Sequence, residues 1–596
     1  MTVLERINCL RGKMISEGID WYLMTSDDFH SSEYVSDFFK VREYYTGFTG
    51  DNAYLILNKE KAYMWTDGRF FIQAEIELAG STIELMRMGE EGVPTLSEFI
   101  KDNVVNGQTL YFDGRTVDSG LGEKISGILE KTGANLKYEG DLAGELWTNR
   151  PGLPVEPIWI LSDEMSGENI ISKINRVREA MAKEDADSFL LAKLDDIAWL
   201  TNMRGNDIEC NPVFLSYLFL TQKECFLFLR DEVVTDEIKN YLEKSNVILK
   251  RYDEFFEFIE AYKAGKAVML DKSGVSFRAL KLAAGNNEIK NVPNPTTLMK
   301  AVKNVVELER LKEATIMDSV AVTKFMYWLK NEADLSNTSE LDCAAKIDGL
   351  RKELPGYIEL SFPTIAGYGA NAAMMHYEAK EGNYAYLKPE GMLLVDSGGQ
   401  YEKGTTDVTR TFVLGPVSEE IKLHFSRVAA GMLAVADTKF LYGCTGRNLD
   451  IMAREPLWEI GIDYKCGTGH GVGYILNVHE GPHSLRWKYV KGAEEAVFEE
   501  GMIVSDEPGV YIEGSHGIRT ENVILCTKRE KNGDGQFMGF EHLTFVPIDL
   551  DGINPEYLEP KDIKRLNKYH ADVYEKISPY LDAKEAEWLK EATRAI

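Results

Sequence analysis

From about residue 305 to 331 apolar residues return every third or fourth position, with Glu and Lys on the opposite side, which predicts one long amphipathic helix. The stretch before it is organised differently. Charged helical patterns alternate with short apolar runs: WYLM (21–24), AYLIL (53–57) and KAYMW (61–65), then FLLA (189–192), LSYLFL (215–220) and CFLFL (225–229). Helix and strand patterns in alternation predict α/β domains. The pattern occurs twice. Ile7-Asn8, Arg11, Tyr22-Leu23 and Asp28 return 167 residues later as Ile174-Asn175, Arg178, Phe189-Leu190 and Asp195, which predicts two related domains. Beyond 331 the pattern changes again. Short β-type runs with glycine turns fill about 384–413 and 501–526, predicting an α+β domain, and 560–596 is helical and charged.

Two proline-rich stretches, 148–157 and 291–300, punctuate these patterns and read as linkers. They divide the chain into 1–152, 153–296 and 297–596, the last ending in a helical tail from about 550. A length of 596 residues agrees with several cores rather than one.

Composition narrows the function. The chain carries 96 acidic and 67 basic residues, a net charge of −29, which disfavours nucleic acid and anionic membrane as partners. Seven cysteines, with no CxxC pair, read as reduced thiols. The N-terminus turns polar within four residues, and the longest apolar run, 213–220, is far short of a membrane span. A cytoplasmic location is expected.

The candidate chemistry lies in the last 300 residues. In LLVDSGGQYEKGTTDVTRTFVLG, strand patterns around Leu393–Ser397 and Thr406–Leu414 flank a glycine turn, with Asp396 late in the first and Asp407 early in the second. In GMIVSDEPGVYIEGSHGIRTENVILC the arrangement recurs. Glu507 ends one strand before Pro508, and a second strand runs through Arg519, Glu521 and Val523. Between them, CGTGHGVG sets His470 among glycines that permit close backbone approach. Carboxylates in apolar strands call for cations. Four of them and one imidazole make an oxygen-rich set suited to a pair of divalent metals, and the histidine tilts the choice toward a transition metal. A hydroxide activated by two such ions is the natural nucleophile for a hydrolase.

The ordered combination of D-x10-D, GTGHGVG, EPG and R-x-E resembles the pita-bread metallopeptidases, and among them the long, three-domain Xaa-Pro aminopeptidases. MWTDGRFFIQA (64–74), LDDIAWLTNMRGNDI (194–208), TLMKAVKN (297–304), NVHEGP and FEHLTFVPIDL (540–550) carry the likeness along nearly the whole chain. The resemblance implies two creatinase-like α/β domains followed by a pita-bread catalytic domain, and hydrolysis of the bond before a proline in the second position of a peptide. It implies Asp396, Asp407, His470, Glu507 and Glu521 as ligands of two metals, by family habit Mn²⁺, with Glu507 also the general base. It implies that His376 (in AAMMHY) contacts the substrate near the scissile bond and His479 stabilises the tetrahedral intermediate, that Arg69 (in TDGRFF) reaches toward the peptide, that Arg519 orients Glu521, and that the enzyme is a homodimer.

One position departs from the pattern. The family shows H-G-T-G-H where this chain has Cys466 in place of the first histidine, which bears on rate, pH optimum or substrate range. Two other readings stay open: a prolidase restricted to dipeptides, and a weakly active or non-catalytic peptide-binding member of the fold.

Overall fold

The computed structural model describes residues 1–375, 377–489 and 495–596, and the chain divides into two compact units. The first comprises Met1–Ile160, Glu168–Glu209 and Val213–Thr296. It contains two six-stranded mixed sheets of one design. In the first, the order is Ile83–Arg87, Ala62–Thr66, Ala53–Asn58, Trp21–Met24, Thr109–Tyr111, Asn135–Lys137. In the second, it is Val247–Arg251, Cys225–Leu229, Tyr217–Thr221, Ser188–Leu191, Ala267–Leu270, Glu288–Asn291. The parallel and antiparallel pairings match strand for strand.

The repeated residues explain the repeated fold. Helix Val3–Ser16 buries Ile7, Leu10 and Met14, and helix Ile170–Lys183 buries their counterparts Ile174, Val177 and Met181. Arg11 Nε donates to the Asn58 carbonyl at 2.9 Å, and Arg178 Nε donates to the Thr221 carbonyl at 3.0 Å. Each arginine thus ties its helix to the end of a central strand, and each helix presents an apolar stripe of 3.6-residue period to its sheet.

The second unit comprises Leu161–Gly167, Cys210–Pro212 and Thr297–Ile596. Of the second proline-rich stretch, only the first part is extended. Pro295–Ala301 forms a short helix, because proline is well suited to a first helical turn. The long helix covers Val305–Asn331, the predicted range, and Asn304 and Glu307 close its N-terminus in a capping box. Three strands, Ile365–Tyr368, Met392–Ser397 and Val408–Val413, form one antiparallel sheet. A six-stranded antiparallel sheet follows the order Lys439–Leu441, Gly535–His542, Asn522–Asn532, Ile503–Asp506, Gly469–Gly471, Glu480–Leu485. Helix Glu419–Ala436 and the C-terminal helices Pro560–Ile577 and Ala583–Ala592 complete the unit. The single strand expected through Arg519 and Glu521 is two. His516–Arg519 pairs with Gly509–Ile512, and Asn522–Asn532 pairs with Ile503–Asp506, leaving Thr520 and Glu521 at the crossing between sheets. Among the described residues no helix is long and apolar enough to cross a membrane.

Candidate metal centre

The second unit brings the five acidic and imidazole residues to neighbouring strand ends. Asp396 lies across from Thr409, so Asp407, two positions before Thr409, stands beside it. Asp506 lies across from Asn522, which sets Glu507 and Glu521 beside each other. His470 enters on Gly469–Gly471, whose Gly471 pairs with Val504. Its Nε2 is 3.3 Å from Glu507 Oε1 and 3.5 Å from Asp407 Oδ2. Ligand atoms of Asp407, His470 and Glu521 all lie within 4.8 Å of one another.

Glycine makes this approach possible at two positions. A Cβ on Gly469 would lie 1.8 Å from the Ser505 carbonyl oxygen, and one on Gly471 would lie 2.2 Å from that of Glu480.

Electrostatics in the site are one-sided. Burial, and then the charges of Glu521, Asp396 and Glu507, push the Asp407 carboxyl well above its ordinary range. Burial, Glu507 and Asp396 push Glu521 up to about 8. Burial alone would also raise Glu507, but the hydrogen bond and charge of His470 hold it below the usual carboxylate value. His470 is pushed up to about 9, because its bond to Glu507 and that group's charge outweigh the opposing effect of burial. Two buried oxygens, Asp396 Oδ1 and Glu521 Oε1, have no hydrogen-bond partner among the described residues. Clustered acids with unpaired oxygens and a converging imidazole fit a divalent metal centre: added positive charge would satisfy the orphan atoms and remove the mutual repulsion.

A second set of groups holds the ligands. Thr409 Oγ1 donates to Glu521 Oε2 at 2.7 Å and accepts from Arg519 Nε at 3.1 Å. The Arg519 guanidinium pairs with Asp396 Oδ2 and bonds the Tyr511 hydroxyl at 2.8 Å. Arg519 therefore touches Asp396 directly and Glu521 through Thr409. Ser505 Oγ accepts from the His470 backbone N–H at 3.0 Å and donates to Glu507 Oε1 at 3.1 Å. Thr409 and Ser505 were not singled out from sequence. Their signal was strand alternation: each lies two residues from an acidic ligand, on the same strand face.

The other expected residues are placed as follows. The His479 ring meets the His470 ring edge to face, centroids 4.3 Å apart. Cys466 is half-buried, and desolvation and then the charge of Glu507 push its thiol up to about 11. Arg69 belongs to the first unit, where its guanidinium forms a two-point bond with Asp67. His376 lies outside the described residues.

An α+β domain with this acid-rich centre defines a metallopeptidase. The model of metallopeptidase family M24 matches residues 309–528, and that of its C-terminal region matches 536–596. The creatinase/prolidase N-terminal domain matches twice, at 6–138 and 149–307. The chain is 36% identical over 611 residues to a probable Xaa-Pro aminopeptidase P of Talaromyces marneffei, covering 99% of this chain and 92% of that one. It is equally identical over 616 residues to the counterpart of Ajellomyces capsulatus (strain G186AR), covering 99% of both. Among solved structures it superposes with TM-score 0.94 and 32% identity on the X-prolyl aminopeptidase of Caenorhabditis elegans, described as a cytosolic enzyme with a di-nuclear active site, over 100% of both chains. Against the prolidase of Pyrococcus horikoshii the TM-score is 0.52 at 25% identity, and 64% of this chain is covered. The chain belongs to the Xaa-Pro aminopeptidase P family of M24 metallopeptidases.

Proposed function

We propose that the protein removes the N-terminal residue of peptides whose second residue is proline, using two divalent metal ions, of which Mn²⁺ is the expected species. The observation that carries this reading is the convergence of Asp407, His470 and Glu521 amid excess buried carboxylate, in a chain aligned end to end with Xaa-Pro aminopeptidases. Asp396, Asp407, His470, Glu507 and Glu521 would hold the ions, which when bound supply Lewis acidity at the scissile carbonyl and an acidified water. Glu507, held by Ser505 and His470, takes the proton from the attacking water at a carboxylate oxygen and delivers it to the departing proline nitrogen. That nitrogen carries no hydrogen in the substrate, so it must gain one to leave. His479 donates an N–H bond to the oxygen that becomes negative in the tetrahedral state, and His376 is assigned to the substrate near the scissile bond. Loss of one such donor costs ~10²–10³ in rate. Arg519 keeps Asp396 in place and orients Glu521 through Thr409, and Arg69 is assigned to reach toward the peptide.

The proposed division into domains 1–152, 153–296 and 297–596, the homodimer and the cytoplasmic location belong to the same reading. The full-length match with the nematode enzyme, against partial cover by prolidase, favours an aminopeptidase over a dipeptidase. Peptides with and without proline in the second position, assayed with Mn²⁺, Co²⁺ and Zn²⁺, test it. Release of arginine from Arg-Pro-Pro is expected. Cleavage of Xaa-Pro dipeptides with no action on the tripeptide would replace the reading with prolidase activity.

A further inference from the structure

Arg410 follows Thr409 on Val408–Val413, so its side chain leaves the opposite face of the strand from Asp407 and Thr409. It is 2% exposed, and among the described residues none of its hydrogen-bond partners is a carboxylate. The guanidinium donates to the carbonyls of Thr409 at 2.8 Å, Val546 at 2.8 Å and Pro547 at 3.1 Å, and to that of Glu521. It also donates to Asn522 Oδ1 at 2.7 Å and to the Tyr569 hydroxyl at 2.9 Å.

These acceptors come from three stretches far apart in sequence: the strand after Asp407, the crossing that bears Glu521, and the C-terminal segment. Tyr569 sits on helix Pro560–Ile577, and its hydroxyl also donates to the Val546 carbonyl at 2.8 Å. The neighbours add no counter-charge. Burial, and then Arg410 itself, push His542 down to about 4 and His570 down to about 3, so both are neutral. A buried cation with only neutral acceptors is expensive unless its geometry is complete. Among the described groups, the ionisable neighbours that act on it are Tyr569 and then Glu521.

We propose that Arg410 and Tyr569 are positioning residues for the metal centre, through which the C-terminal helix Pro560–Ile577 holds the backbone of Glu521 where its carboxylate can bind an ion. The inference rests on Glu521 being a metal ligand, as assigned above. Removing the Tyr569 hydroxyl takes away one of the three acceptors around Nη2, and with it one of the contacts that fix the guanidinium whose Nη1 donates to the Glu521 carbonyl. Groups that orient metal ligands typically contribute 10–100-fold in metal affinity.

The test is calorimetric titration of Mn²⁺ into the full-length, EDTA-stripped protein. Tyr569→Phe is expected to weaken Mn²⁺ binding by about 10-fold, and Arg410→Lys by up to about 100-fold. Tyr574→Phe, on the same helix but with no bond to Arg410, is expected to bind as wild type, which separates the link from general loosening of the helix. Wild-type Mn²⁺ affinity in Tyr569→Phe, or an equal loss in Tyr574→Phe, would overturn the proposal even if Arg410→Lys fails to fold. Asp407→Ala in the same titration separates the two readings: if it still binds two Mn²⁺, the ligand assignment itself is wrong.

Discussion

Asp396 and Ser397 are adjacent on one strand, yet they border two opposite kinds of buried charge. The Ser397 carbonyl accepts from Arg351, whose guanidinium also grips Asp318 at 2.8 and 3.2 Å. The Tyr401 hydroxyl adds a third bond to Asp318, at 2.6 Å. That carboxylate is matched by one cation and has donors on the oxygens it presents. Asp396 shares Arg519 with a cluster of three further carboxylates, and one of its oxygens has no partner. Burial is similar on both sides of the strand, so burial alone does not mark a site. The difference is in the count: a matched pair holds the fold together, whereas clustered acids in excess of their cations favour binding of positive charge.

The contrast can be broken most forcefully at Asp407. Asp407→Asn is expected to cut turnover of an Xaa-Pro peptide by ~10³-fold or more, since it removes a proposed ligand of the catalytic ions. In EDTA, however, the same variant should melt at a higher temperature than wild type, because a carboxyl whose ionisation is opposed by burial and by its acidic neighbours is gone. Retained turnover, or a lower melting temperature without metal, would end the distinction between the two kinds of carboxylate.

Asp318→Asn should do the reverse. Arg351 would be left buried without its counter-charge, at a cost of about 3–5 kcal/mol in chemical or thermal unfolding, with or without metal. A variant as stable as wild type would mean that the pair is dispensable.

A pH series gives a smaller, signed effect. Glu521, raised to about 8, holds a proton in the metal-free folded protein at pH values where the unfolded chain has lost it. Stability in EDTA therefore falls as pH rises from about 4.5 to 8, by up to ~1.4 kcal/mol per pH unit for each such group. His470, raised to about 9, contributes stability that is complete below about 6.5 and lost as pH climbs through 9, so its slope has the same sign. Saturating Mn²⁺ should flatten the profile in melting experiments, and a slope unchanged by Mn²⁺ would contradict it.

The smallest effect is expected at Cys466. Its thiol stays neutral across the working range, so Cys466→His should add a group that titrates near neutrality and change the acid limb of the pH–rate profile by a few fold. An unchanged profile would make the position indifferent.

Much of this was legible from sequence because it is periodic or ordered. Val305–Asn331 announces itself by apolar spacing with Glu and Lys on the opposite side. The duplication is visible because Ile7, Leu10 and Met14 and their counterparts face their sheets at the same offsets. The five acidic and imidazole residues were legible as an ordered set. The supporting groups were not. Thr409 and Ser505 are small hydroxyls common in any strand, and their value appears only when a carboxylate comes within hydrogen-bond reach. The Arg519–Asp396 pair joins residues far apart in sequence, and no local spacing reports it. The break between His516–Arg519 and Asn522–Asn532 escaped as well, because β-type composition continues across a point where the backbone changes sheets.

Gly469 has a consequence for how such a chain can change over generations. The spacing between the strand that bears His470 and the strand that leads to Glu507 is set by an atom that is missing, since any Cβ at Gly469 would collide with the Ser505 carbonyl. Cys466, three residues earlier, is free of that backbone constraint and can be exchanged for a side chain of different chemistry while the cage keeps its bore. Variation in this loop should accordingly adjust how fast and at what acidity the enzyme works, while the size of ion it accepts is inherited unaltered.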